Sequence, residues 1–330
     1  MIISRTPFRM SFFGGGTDYP VWFREHGGAV LCSTINKYCY ISCRYLPPFF
    51  KHKSRIAYSF VEMVESNDAI QHPAVRETLK YLGIKEGVEI HHDGDLPART
   101  GLGSSSSFSV GLLHTLYALK QIMPTRMQLA TEAIYVEQNL LKENVGCQDQ
   151  VAAAFGGFSK IEFLPSRDIR VNPVIISPER LGKFQKHLVL YFTGFSRIAS
   201  EIAKDQIEIT AKKNQELIRM REMVDEGLGI LCGRGDLAAF GKLLDENWKI
   251  KRSLTSKIST PKIDEIYEVA CGAGAIGGKL LGAGGGGFML LFVKPEDQPR
   301  VDEKLKGFLR VPFSFENRGS EIIVYQLDSE

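Results

Sequence analysis

The chain has 330 residues, 44% hydrophobic and 24% charged, with a formal net charge of +3. That composition belongs to a chain with a sizeable core and excludes disorder as its main state. Lys+Arg 41 against Asp+Glu 38 leaves no basic field for nucleic acid or an anionic membrane surface.

The longest apolar runs, such as 288–293, fall far short of the roughly 20 residues that cross a bilayer. The opening Met1-Ile2-Ile3-Ser4-Arg5 lacks a charged segment followed by an apolar core, so no signal peptide and a cytoplasmic location are expected. Cys32, Cys39, Cys43, Cys147, Cys232 and Cys271 include no C-x-x-C pair and no His at zinc spacing; reduced, mostly buried thiols are expected. Glycine is the oddity, with 32 residues against an average of about 7%.

In chain order, residues 2–13 read as a strand broken by Gly14-Gly15-Gly16. Strands follow at 38–45 and 55–65, a short helix at 73–82 stopped by Gly83, and a strand at 88–92 before the turn 93–97. His91-His92-Asp93-Gly94-Asp95 has the composition of a metal site, but adjacent strand residues face opposite ways and Asp-Gly-Asp is turn chemistry. Apolar residues at helical spacing predict helices over 105–120 and from 124–125, the second with Leu129, Ala133, Val136 and Leu140 on one face. A third, short helix is expected over 149–155 and a strand over 158–163.

Beyond Pro173 the texture changes. A strand at 187–192 precedes a long charged helix over 198–227, then helices at 236–254 and 261–270. Strands are expected at 278–281, 288–293, 312–315 and 321–326. No repeat or low-complexity tract is present, and a domain seam is expected near 165–185.

Three glycine clusters carry the chemistry. The first, Arg5-Thr6-Pro7-Phe8-Arg9-Met10-Ser11-Phe12-Phe13-Gly14-Gly15-Gly16-Thr17-Asp18, ends a strand in a tight loop with a carboxylate. The second, Leu96-Pro97-Ala98-Arg99-Thr100-Gly101-Leu102-Gly103-Ser104-Ser105-Ser106-Ser107, runs straight into a helix. There, small residues expose backbone N–H groups beside the positive end of the helix dipole, a cradle for phosphate. The serine hydroxyls add donors and Mg2+ ligands, and no Walker A lysine occurs. The third, Gly277 to Phe288, holds seven glycines between two strands. Residues 272–277 and 282–287 match G-x-G-x-x-G literally but lack the strand-to-helix context of a dinucleotide fold.

In this order and at these separations the three segments resemble the signature motifs of the GHMP kinases over nearly the whole chain. Within that superfamily the chain most resembles the D-glycero-D-manno-heptose 7-phosphate kinases, through Gly-Gly-Gly-Thr-Asp-Tyr, Gly-Leu-Gly-Ser-Ser-Ser-Ser and Tyr-Phe-Thr-Gly-Phe-Ser-Arg at 191–197. The resemblance implies an α/β fold (α+β, two-layer) with an N-terminal α/β domain (1–175) that binds ATP. It also implies a ferredoxin-like C-terminal domain (176–330), with the active site in the cleft between the two.

The resemblance further implies an ATP- and Mg2+-dependent kinase for the anomeric hydroxyl of that heptose phosphate, in nucleotide-activated heptose synthesis. Asp149 corresponds to the catalytic acid and Arg9 to the cation beside it. Pro97, Gly101, Leu102, Gly103, Ser104, Ser105, Ser106 and Ser107 are expected to bind ATP. Ser105, Ser106 and Glu137 are expected to bind the metal. Gly15, Gly16, Thr17, Asp18, Gly146, Ser196, Arg197, Gly284 and Gly285 are expected around the acceptor, with Arg197 and Ser196 on its phosphate. Where galactokinases carry Glu-His, this chain has Gly15-Gly16, which enlarges the pocket and removes an anion. Another sugar 1-kinase of the family, for fucose or galactose, and a non-catalytic ATP and sugar sensor remain open, as does a homodimer.

Overall fold

The structure is a computed structural model and describes residues 1–98, 100–194, 205, 207 and 213–326. Its first half contains β1 (Ile2–Phe13), α1 (Pro20–His26), β2 (Gly28–Tyr45), β3 (Ser54–Ala57), β4 (Val61–Val64), α2 (Pro73–Tyr81) and β5 (Val88–Gly94). Next come α3 (Ser104–Leu119), α4 (Arg126–Tyr135), α5 (Gln148–Phe155), β6 (Phe158–Phe163) and β7 (Ile169–Pro173). The second half has α6 (Pro178–Lys186), β8 (Leu188–Phe192), α7 (Asn214–Cys232), α8 (Ala238–Leu254), α9 (Pro261–Gly272), β9 (Ala275–Leu280) and β10 (Phe288–Val293). It closes with α10 (Gln298–Lys304), β11 (Leu309–Arg310), β12 (Phe315–Glu316) and β13 (Glu321–Tyr325).

Among the described residues the larger sheet runs β13-β1-β2-β5-β3-β4, with β6, β7 and β12 joined alongside β2. β2 is long enough, at 18 residues, to change neighbours along one edge. Its end pairs with β5, its start with β6, and Thr34 and Ile35 between them with β12. Along its other edge it pairs with β1. The second half of β1 is buried at every position, with layers on both faces. On one side α3 lies against Ser4 and Thr6 so closely that a Cβ at Gly111 would come within 2.8 Å of the Thr6 hydroxyl. On the other, α7 meets Phe13 at Gly227, where a Cβ would lie 2.5 Å from the ring.

The smaller sheet is antiparallel in the order β11-β8-β10-β9. Numbered within itself this is 4-1-3-2, with helices after its first and third strands: the ferredoxin-like arrangement expected from the sequence. An aromatic cluster joins the sheets. Phe12 of β1 stacks on Phe158 at 5.3 Å and meets Phe184 of α6 and Phe240 of α8 edge-on at 5.8 and 5.6 Å.

Several elements differ from the sequence reading. The strand expected over 55–65 is the hairpin β3–β4. Helix α4 does not continue evenly to Leu140; Val136–Leu140 form one π-helical turn. Of the helix expected over 198–227, the described part is α7, ending at Cys232. Strands β12 and β13, read as part of the C-terminal unit, pair with β2 and β1 of the larger sheet. Short α1, α6 and α10 and strand β7 had no reading, although Ser177 caps α6 through Arg180 N–H with Pro178 in its first turn, an ordinary start signal.

All six cysteines are free; Cys32, Cys39, Cys43 and Cys147 are buried, Cys271 is half-buried and Cys232 exposed. His91 lies beside Arg55 and Glu89, while His92 packs edge-on against Phe108. Among the described residues no helix is long and apolar enough to cross a membrane.

Candidate active site

The three glycine clusters converge. A recess of about 160 Å³ is lined by Arg9 and Ser11 of β1, Gly15, Gly16, Asp18 and Tyr19 of the following turn, and Gly101 with Gly103 to Ser106. Asn144, Val145, Gly146, Gln148 and Asp149 close one side, and Lys251, Leu254, Lys279, Gly282 and Ala283 come from the second half of the chain.

Strand alternation sends Arg9 to the face opposite Phe8 and Met10. There its Nε donates to Asp149 Oδ1 at 2.7 Å and its Nη2 to Oδ2 at 2.5 Å, while Nη1 donates to the Gly101 carbonyl at 2.8 Å. This two-point geometry fixes the carboxylate's plane as well as its charge. Asp149 itself sits in the first turn of α5, where the helix dipole favours an acid.

Asp18 is buried in the turn opposite. Its Oδ1 accepts from Gly16 N–H at 2.9 Å and its Oδ2 from Gln148 N–H at 3.2 Å. Burial first, and the charge of Asp149 second, push its pKa above the ordinary carboxyl value against those two donors. Gly146 is obligatory here, since a Cβ would lie 1.9 Å from Asp18 Oδ2. Thr17, expected at the acceptor, is fully buried and lies off the recess. Its hydroxyl bonds the Gly14 and Ala29 carbonyls and ties the turn to β2.

The phosphate-cradle expectation falls on the start of α3. Gly101 and Gly103 have φ of +85° and +74°, and no side chain caps the helix. The helix end thus meets the recess with no side chain over it, its first backbone bond running from Ser107 N–H to the Gly103 carbonyl at 2.9 Å. The other residues of this segment divide by what they touch. Ser105 is exposed. The Ser107 hydroxyl donates to the Pro7 carbonyl at 2.9 Å, and Leu102 is in the core. Pro97 is exposed away from the recess, its carbonyl accepting from the Thr100 hydroxyl at 2.7 Å.

Glu137 would pass in the sequence for an exposed helix charge, yet it is 0% exposed, on the π turn after α4. Its Oε2 accepts from the Ser106 hydroxyl at 2.9 Å and from Gln150 Nε2 at 2.6 Å, while Oε1 is buried with no hydrogen-bond partner. Burial raises its pKa to about 7 despite the hydrogen bonds from Ser106 and Gln150. An orphaned buried carboxylate oxygen next to a hydroxyl, behind the recess wall, suits a hard divalent cation.

The third cluster supports the second. A Cβ at Gly101 would lie 2.3 Å from the Leu281 carbonyl and one at Gly287 2.1 Å from the Thr100 carbonyl. Gly284 and Gly285, expected at the acceptor, instead pack on Ile258: Gly285 N–H donates to its carbonyl at 2.8 Å. Ser196 and Arg197 lie outside the described residues. Sequence reasoning missed Lys251, Lys279, Ser11, Tyr19 and Gln148; Ser11, Tyr19 and Lys279 stand inside the glycine-cluster segments, where nothing local marks which side chains face the recess.

Comparison with known proteins gives the same frame. Residues 68–157 match the GHMP kinases N terminal domain and residues 230–310 the GHMP kinases C terminal domain, together just over half of the chain. The D-glycero-alpha-D-manno-heptose 7-phosphate kinase of Campylobacter jejuni is 29% identical, over 96% of this chain and 97% of that protein. The bifunctional fucokinase/GDP-fucose pyrophosphorylase of Arabidopsis thaliana is 23% identical over 89% of this chain, which spans 30% of its length. Among solved structures, a D-glycero-D-manno-heptose 1-phosphate kinase from Bacteroides thetaiotaomicron superposes with a TM-score of 0.81 at 24% identity, covering 100% of both chains. The chain belongs to the GHMP kinases and is a phosphotransferase with an alcohol group as acceptor.

Proposed function

We propose that the chain is an ATP- and Mg2+-dependent sugar kinase. Its acceptor is the anomeric hydroxyl of D-glycero-D-manno-heptose 7-phosphate and its product the 1,7-bisphosphate. The observation that carries this reading is the Arg9–Asp149 pair facing the uncapped start of α3 across one recess. Transfer of a phosphoryl group to an alcohol needs those two parts: donors that hold phosphate oxygens, and an acid beside the incoming hydroxyl.

In this reading the backbone of 101–106 holds the phosphate oxygens of the nucleotide. Asp149 takes the proton of the acceptor hydroxyl as the new O–P bond forms and the bond to the departing ADP breaks. Arg9 holds the plane of the Asp149 carboxylate through its two-point contact and balances charge developing at the acceptor oxygen. Asp18, held by two backbone N–H groups, accepts from sugar hydroxyls, with Gly15, Gly16 and Gly146 giving the sugar room. Ser105, Ser106 and Glu137 would hold Mg2+, which supplies neutralisation of phosphate charge. The two-domain division at 175/176 is part of the same proposal, the recess drawing its lining from both sides of it.

The heptose acceptor rests on similarity to the Campylobacter enzyme over the full chain and on the absence of an acid at Gly15. A free sugar such as fucose is the second reading, supported by the similarity to the Arabidopsis fucokinase. A coupled ADP-release assay over a panel of sugars and sugar phosphates separates them. Highest kcat/KM with the heptose 7-phosphate, with a product phosphorylated at the anomeric position, is expected. Preference for a free hexose overturns the acceptor, and ATP binding without ADP release for any sugar marks a sensor.

A further inference from the structure

Two buried lysines in the recess wall have no role in that account. Lys251, on α8, is 7% exposed and its ammonium donates to the Gly282 carbonyl. Lys279, on β9, is 2% exposed and its ammonium donates to the Phe12 carbonyl at 2.8 Å. An ammonium carries three donors, yet among the described residues each has this one acceptor and neither forms an ion pair. The nearby acids are already engaged, Asp149 by Arg9 and Asp18 by two backbone N–H groups. Buried charge without a counter-ion is costly, and burial with the charges of Lys251 and Arg9 lowers Lys279 well below the ordinary lysine value.

We propose that Lys251, with Lys279 near it, is a seat for a phosphate group, whose oxygens supply the counter-ion these ammonium groups lack. The inference rests on the recess being the acceptor and nucleotide site, as proposed above. The phosphate has two sources, the acceptor's own ester and the phosphoryl group in transfer, and both present the same oxygens to Lys251. The groups facing Lys251 are Arg9 from β1, Asp18 from the turn before α1, Asp149 from α5 and Lys279 from β9. Burial, and next the charge of Arg9, lower Lys251 to about 8, so it is largely cationic at neutral pH and neutral at pH 9.

Sulfate, whose charge does not change over this range, is the probe, titrated by calorimetry without nucleotide or sugar. Wild type is expected to bind sulfate at pH 7 and about tenfold more weakly at pH 9. Lys251→Met is expected to bind it about tenfold more weakly at pH 7 and to lose the pH dependence. The source is then read from kinetics. If the acceptor's ester occupies the seat, Lys251→Met raises KM for the phosphorylated acceptor far more than KM for ATP or for an unphosphorylated sugar. If the transferred group occupies it, kcat falls for every acceptor. Wild type that does not bind sulfate, or Lys251→Met that binds it like wild type with unaltered kcat and KM, overturns the proposal. Should Lys251→Met not fold, Lys279→Met and the wild-type pH dependence carry the same test. The sulfate titration needs no turnover, so a wrong acceptor assignment and a wrong phosphate seat give separate failures.

Discussion

Gly282 and Gly101 meet backbone to backbone: a Cβ on Gly282 would lie 2.4 Å from the Cα of Gly101. The loop after β9 thus sets the position of the loop that starts α3, two segments 181 residues apart in the chain. Gly282 also has φ of +78°, a conformation that costs an alanine on the order of 1–3 kcal/mol. Gly282→Ala is therefore expected to lower stability by about that amount and to raise KM for ATP by roughly tenfold or more, because the amides proposed to hold the nucleotide's phosphates shift. Denaturant melts and steady-state kinetics check both, and an unchanged KM for ATP contradicts the coupling of the two loops.

Glu137 makes a prediction about pH. Its pKa rises from the model-compound value of 4.5 to about 7 on folding, so the folded state holds the proton more tightly than the unfolded chain. Its contribution to stability is therefore present at low pH, falls as pH rises between those two values, and stays lost above them. The shift corresponds to roughly 3 kcal/mol. Glu137→Gln does not ionise, so between pH 5 and pH 8 its stability relative to wild type is expected to rise by roughly 2–3 kcal/mol. With Mg2+ and nucleotide present, wild type is expected to regain that ground and the variant is not. Melts at the two pH values give the answer; a gap that does not move means that Glu137 is ionised throughout.

Gly15 bears on the acceptor. A Cβ there would meet only the Ser11 hydroxyl within 4 Å, at 3.8 Å, and its φ is not in the left-handed region, so the position takes a side chain without backbone strain. At about 5 Å and an effective dielectric of about 20, a new carboxylate repels a phosphate charge by about 3 kcal/mol, roughly a hundredfold in affinity. Gly15→Glu is expected to leave the melting temperature close to wild type and to raise KM for a phosphorylated acceptor by up to that factor, with little effect on a free sugar. An equal loss with both acceptors would show that size, and not charge, is what position 15 controls.

How much of this was legible in the sequence follows from how local each signal is. Asp18, Gly101 and Gly103 lie in short segments whose glycines and helix start are themselves the signal, Arg9 and Asp149 were named through the family resemblance, and all of them line the recess. Gly284 and Gly285 belong to such a segment too, but a glycine run does not say which residues face the ligand and which face Ile258. Thr17, expected at the acceptor from the resemblance, and Ser107, read as a ligand contact from its hydroxyl, bond backbone carbonyls instead. Glu137 was named only through the family resemblance and Lys251 not at all, because their burial is created by packing against distant elements. Lys279 left one faint trace, a lysine within the apolar and glycine-rich run 277–281. The strand order of the smaller sheet followed from its family resemblance, while the return of β12 and β13 to the larger sheet had no local mark.

The most direct test of the central claim is Asp149→Asn, which keeps shape and one hydrogen-bond acceptor for Arg9 but removes the charge and the site for the acceptor's proton. With melting temperature and ATP affinity checked on the same sample, kcat is expected to fall by about 10²–10⁴ while KM for ATP stays near wild type. Turnover close to wild type in the folded variant would contradict the account, because Asp149 would then be a structural partner of Arg9 and the proton would leave by another route.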